Sequence, residues 1–207
     1  MAINQKKKQK MLAKKKKKRS LRKKIANISK NTRNPISLYA KYPIHECLIP
    51  DDLFSMGLGT VVVARRGMDD SIAVSAFVVD VYCLGVKDAL FHLMSLNDYE
   101  NDFKARIIAS HEGDFESIHP TCVKKIITGS VQYAKNLGFS PHSDYRKYKG
   151  ILATIDSNAC PEKYNFGKDG KPFYIRGPNE SITKANKIIK TLEKKCGSGN
   201  YDHLIML

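Results

Sequence analysis

The chain has 207 residues, 36 of them Lys or Arg against 20 Asp or Glu, for a formal net charge of +16. That excess is segregated: residues 1–33 hold 15 basic residues and no acidic one, leaving 21 basic against 20 acidic in the rest, so the leading segment carries +15 and the body only +1. No stretch reaches the ~18 uncharged apolar residues a membrane-spanning helix needs, and no apolar leader core follows the start. Five scattered cysteines (Cys47, Cys83, Cys122, Cys160, Cys196) contain no close pair, which argues against a disulfide framework and for a soluble chain in a reducing, cytoplasmic setting.

In chain order, the leading segment comes first. Lys6, Lys7, Lys8, Lys10, Lys14, Lys15, Lys16, Lys17, Lys18, Arg19, Arg22, Lys23 and Lys24 repel one another and bury almost nothing, so residues 1–33 are expected to be a disordered tail when free. A helix is expected on a polyanion, because Met11, Leu12, Leu21, Ile25 and Ile28 fall partly at helical spacing. Residues 34–42 read as a linker, 43–196 as one domain, and 197–207 as a C-terminal tail.

The apolar centre of the body is Gly59–Met94. Two Val-rich runs flank Gly67, Met68, Asp69 and Asp70, and stiff β-branched residues on either side of a polar corner predict a β-hairpin. After Gly85, the residues Val86, Ala89, Leu90 and Leu93 recur at helical spacing and predict a helix to Met94. Pro43–Pro50 predicts a short strand, and Asp51 or Asp52 caps a helical turn that Gly57 ends. Further helices are expected around Tyr99–Ile108, from Pro120 to Leu137 with Gly138 as its stop, over Tyr145–Ile155, and over Ile182–Cys196. Asp169-Gly170 is a hairpin-turn dipeptide between Tyr164–Phe166 and Pro172–Ile175. The fold class expected is α+β, a central antiparallel sheet with amphipathic helices covering one face.

Residues able to carry chemistry are few. Lysine outnumbers arginine in the tail, which suits point-charge neutralisation of a phosphate backbone more than bidentate reading of bases; a solvating tail, a nuclear signal or attachment to anionic lipid are the competing explanations. Lys168, Lys171 and Arg176 interleave with Phe166, Phe173 and Tyr174, a pattern that can stack on and neutralise a single strand, or simply decorate a surface hairpin. Asp80 is the acidic residue inside the second Val-rich run, placed by alternation on the face of Ile72, Val74 and Ala76; it is either an edge carboxylate or a catalytic one. His142 and Asp144 lie two apart in Pro141–Tyr145, close enough for a carboxylate to orient an imidazole, although Asp144 as a plain helix N-cap explains the same loop. Alternation along His45-Glu46-Cys47 lets only His45 and Cys47 converge, and the remaining His and Cys lack zinc-site spacing, so no metal or cofactor is expected. Cys83 reads as a buried small hydrophobe.

Pro43-Ile-His-Glu-Cys-Leu, Phe77-Val-Val-Asp-Val-Tyr-Cys-Leu-Gly-Val-Lys, Leu137-Gly-Phe-Ser-Pro-His-Ser-Asp-Tyr and Phe166-Gly-Lys-Asp-Gly-Lys-Pro-Phe-Tyr-Ile resemble a group of mostly bacterial, uncharacterised proteins with lysine-rich N-termini. That resemblance implies tail and body as one arrangement and supplies no catalytic residue. The function expected from the residues is binding of nucleic acid, RNA or a ribonucleoprotein, through the tail without catalysis. One alternative is a metal-dependent nuclease or other hydrolase using Asp80, His142 and Asp144; another is a protein interaction module with a solubilising or targeting tail.

Overall fold

The computed structural model describes residues 7–16, 19, 20, 23 and 35–205, with Pro35 and Asp69 described in their backbone alone. Strands β1 (Ile44–Pro50), β2 (Leu58–Arg66), β3 (Ser71–Asp80), β4 (Gly85–Ser95) and β5 (Phe115–Ser117) form one antiparallel sheet in the order β4-β3-β2-β1-β5. The expected hairpin is β2–β3, paired from Leu58↔Asp80 to Arg66↔Ile72, with Met68–Asp70 as a 3-10 turn at its corner. The fold is therefore α+β.

β4 corrects the helix expected over Val86–Met94. Gly85 adopts φ +69°, a left-handed conformation suited to glycine, and turns the chain back so that β4 pairs with the whole of β3 from Asp80↔Gly85 to Ser71↔Ser95. The register steps from Val79↔Val86 to Val78↔Asp88, leaving Lys87 as a bulged extra residue. Val86 and Ala89, three apart, consequently both face the same core. The helix-like spacing comes from a β-bulge.

Helices cover both faces of the sheet, not one. α1 is Pro35–Tyr39 and α2 is Leu53–Met56, closed by Gly57 in the left-handed conformation. α3 is irregular, running from Leu96–Asp98 through a π-turn at Tyr99–Phe103 to Lys104–Ala109. α4 (Pro120–Asn136), α5 (Ser143–Tyr148) and α6 (Ile182–Cys196) complete the set. On one face Val61, Val63, Phe77 and Val79 pack with Val123, Ile126 and Ile127 of α4. On the other, Val62, Ala64, Ile72, Val74 and Ala76 pack with Tyr99 and Phe103 of α3. Strands buried on both sides need apolar residues at consecutive positions, hence the unbroken Val runs. A third cluster joins Cys83 and Leu84 to Tyr174, Ala185, Ile188 and Leu192.

Several boundaries differ from the expectation. α5 ends at Tyr148 and passes into a 3-10 turn at Lys149–Leu152, so the helix expected over Tyr145–Ile155 is shorter and changes type. The Asp169-Gly170 turn forms, with φ +50° and +80°, and Lys168 bridges Lys171, but beyond it β6 (Phe173–Ile175) pairs in parallel with β7 (Asp202–Leu204). Residues 202–204, expected as tail, thus supply a strand. In the segment read as linker, Ile36, Tyr39 and Ala40 are buried. Buried Arg65 donates to the carbonyls of Tyr42 (2.6 Å) and Ile151 (2.8 Å) and to Thr154 Oγ1 (3.0 Å), pinning that segment to the body.

Cys122 and Cys160 form a disulfide across 38 residues of sequence. This corrects the expectation of unpaired cysteines: sequence spacing hides a proximity created where α4 meets the turn at Ser157–Ala159. With these two bridged, the cysteines no longer argue for a reducing compartment. Among the described residues no helix is long and apolar enough to cross a membrane. Residues 7–16 are helical and exposed throughout. Lys, Gln, Met, Leu and Ala are all strong helix formers, which suits a helix there despite its like charges.

Candidate functional site

Asp80 ends β3, where the chain must reverse within four residues. Its carboxylate does the work of a turn cap, accepting from the backbone N–H of Tyr82 (3.0 Å) and Cys83 (2.8 Å). Burial pushes its pKa up to about 6, against the pull of the Lys87 ammonium and of those N–H donors. Asp80 is thus neither exposed nor unaccompanied. It borders an open cleft of about 540 Å³ that Lys87, Tyr82, Asp52 and His111 also line.

Three of those neighbours were invisible in the sequence. Asp52 occupies the N-cap position of α2 as expected, yet makes no side-chain cap bond; its carboxylate instead meets His111 Nε2 at 2.7 Å, 59 residues away. Lys87 is re-aimed by the β4 bulge and pairs with Glu180 at 3.3 Å. Burial alone would raise the pKa of Glu180, but Tyr174 OH (2.8 Å), Lys87, Gly177 N–H and Lys184 together hold it down at about 2. Two bulge-free strands would have placed Lys87 differently, and no motif marks a bulge in advance.

His142 and Asp144 do come together, with Asp88 as an unforeseen third member: His142 Nδ1 lies 3.6 Å from Asp88 and 3.8 Å from Asp144. The N-cap of α5 is His142, whose ring accepts from the Asp144 N–H, and not Asp144. Asp144 sits in the first turn, where Lys147 bonds it and holds its pKa below the ordinary value. Asp80 is not part of this cluster, and His142 lines a different cavity, of about 220 Å³, that shares Lys87 with the first. The structure therefore does not assemble Asp80, His142 and Asp144 into one catalytic set. Cys83 is fully buried, as expected, and burial raises its thiol pKa.

The basic candidates divide into two groups. Lys7, Lys8, Lys10, Lys14, Lys15, Lys16, Arg19 and Lys23 are exposed; Lys6, Lys17, Lys18, Arg22 and Lys24 lie outside the described residues. On the body, the three candidates are engaged internally. Lys168 stands 4.9 Å over the Phe173 ring, Lys171 donates to the Gly199 carbonyl, and Arg176 donates to the Glu180 carbonyl. Set beside known proteins, the chain matches no family model, no curated protein and no solved structure.

Proposed function

We propose that this protein binds RNA through its lysine-rich N-terminal segment, the near-neutral body acting as the unit thereby delivered or anchored. One observation carries the reading: +15 of a +16 net charge is confined to residues 1–33. A helix such as 7–16 places like charges three and four residues apart, at a cost that a polyanion removes. Release of condensed counterions from the phosphate backbone then drives association. Binding of this kind is strong at low salt, steeply salt-dependent and indifferent to sequence. Replacing the lysines of residues 6–24 by glutamine in the full chain is expected to abolish it, measured by fluorescence anisotropy with a labelled RNA. Unchanged affinity in that variant would remove the reading.

A second reading, hydrolysis at the Asp80 cleft, is favoured by one observation: a buried carboxylate raised to about 6 faces a cleft that also holds Lys87 and the Asp52–His111 pair. Perturbed groups in clefts are candidate acids and bases. Under it, the purified chain cleaves RNA in magnesium and His111→Gln lowers the rate at least a hundredfold. Absence of cleavage in every divalent cation tried would end it.

A further inference from the structure

β1 begins with a second bulge. Its register steps from Ile44↔Arg65 to Glu46↔Ala64, so His45 is an extra residue without a Cα partner on β2. The consequence contradicts strict alternation: His45 and Glu46, adjacent in sequence, reach the same side, while Cys47 is buried in the opposite core. That side is covered by α3, whose π-turn carries Tyr99 and Glu100. Single π-turns and β-bulges both concentrate where a side chain has been re-aimed for function. Here one of each meets the other.

The result is a cluster in which one His45 nitrogen and one carboxylate oxygen from each of Glu46 and Glu100 all lie within 4.8 Å of one another. His45 Nε2 is 3.1 Å from Glu100 Oε1, and the imidazole stands edge-on to the Tyr99 ring at 5.7 Å. Lys104, one helical turn beyond Glu100, places Nζ 2.8 and 2.9 Å from the two Glu46 oxygens and 3.7 Å from Glu100. A positive charge already sits between the carboxylates, and two carboxylates against one ammonium leave negative charge in excess. A separate observation concerns Tyr99. Its hydroxyl is fully buried and makes no well-formed hydrogen bond among the described residues. Its contact with Glu46 is a hydrogen bond outside good geometry, which places it beside the cluster. A buried donor so poorly satisfied is costly. A Glu46 carboxylate drawn onto a cation, and off Lys104, would offer it a better acceptor.

We propose that His45, Glu46 and Glu100 form a binding site for a divalent transition cation, zinc being the best fit, with Lys104 as a built-in counter-ion that the metal displaces. One imidazole nitrogen and two carboxylate oxygens form a borderline ligand set suited to zinc, and three protein ligands leave a fourth position open to water or a further ligand. Tyr99 then supports Glu46 from behind, as outer partners of metal ligands do. The site is independent of the RNA-binding segment and of the Asp80 cleft.

The test is titration of the full chain with zinc against a chelating dye, together with the absorption spectrum of the cobalt(II) form. One metal per chain is expected, with a cobalt spectrum free of thiolate charge transfer. His45→Ala and Glu100→Gln, at partly exposed positions, should each weaken binding at least tenfold without changing the apo circular-dichroism spectrum. Lys104→Met should tighten it about tenfold. Two results would overturn the proposal: no zinc bound by either the wild type or Lys104→Met, or binding that survives His45→Ala and Glu100→Gln and is lost instead with Asp88→Asn and His142→Gln.

Discussion

The Asp80 carboxylate illustrates what a single residue does to stability. It caps the tight β3–β4 turn, so it is needed, but as an anion it is held where water is scarce. Its folded pKa, about 6, lies above the ordinary value of 3.8. The folded state therefore binds the extra proton, and stability falls as pH rises through the interval between those values, by about 3 kcal/mol for a shift of this size. Asp80→Asn retains an accepting oxygen and cannot ionise. Relative to wild type, it should be near-neutral at pH 4 and stabilised by about 3 kcal/mol at pH 7, read from urea denaturation. A difference that does not change with pH would show that the carboxylate is solvated. Glu180 works in the opposite sense: held at about 2, its contribution is present above the ordinary glutamate range and is lost as pH falls toward 2.

At the scale of elements, the Cys122–Cys160 bridge ties the first turn of α4 to the segment that follows the Ser157–Ala159 turn. Closing 38 residues restricts the unfolded chain by roughly 4 kcal/mol in the loop-entropy account. Cys160→Ser should accordingly lower stability by about 3 to 4 kcal/mol, and reductant should then have no further effect on that variant while destabilising the wild type. Equal stability of wild type with and without reductant would show the bridge to be energetically idle.

Much of the architecture was legible because it rests on local signals. The Val runs around Gly67–Asp70 mark β2–β3, Pro120 starts α4 ahead of its Gly138 stop, and α6 covers the expected Ile182–Cys196. What escaped the sequence depends on pairing in space. The Lys87 bulge gives β4 a helical apolar spacing, and the His45 bulge turns two alternating residues to one side. The Asp52–His111 contact and the disulfide join positions 59 and 38 residues apart. The missed residues share a cause: each is delivered by a register slip or a long-range closure, neither of which leaves a periodic trace.

For the molecule as a whole, the decisive feature is the separation of tasks. The sheet, clamped on both faces and tied at Arg65, is a nearly neutral scaffold. Its own basic segment, from the Asp169-Gly170 turn into β6, spends Lys168, Lys171 and Arg176 on internal contacts. The unbalanced positive charge belongs to the leading segment, because the exposed lysines of the body are matched by its acidic residues. The central claim, that this segment is the RNA-binding element, is tested most directly by the salt dependence of RNA affinity in the full chain and in the variant with lysines 6–24 replaced by glutamine. With ~8 to 10 phosphate contacts, log K should fall against log salt with a slope of roughly −6 to −7 for single-stranded RNA, and the slope should collapse toward zero in the variant. The same steep slope in both proteins would contradict the account and move the binding surface onto the body.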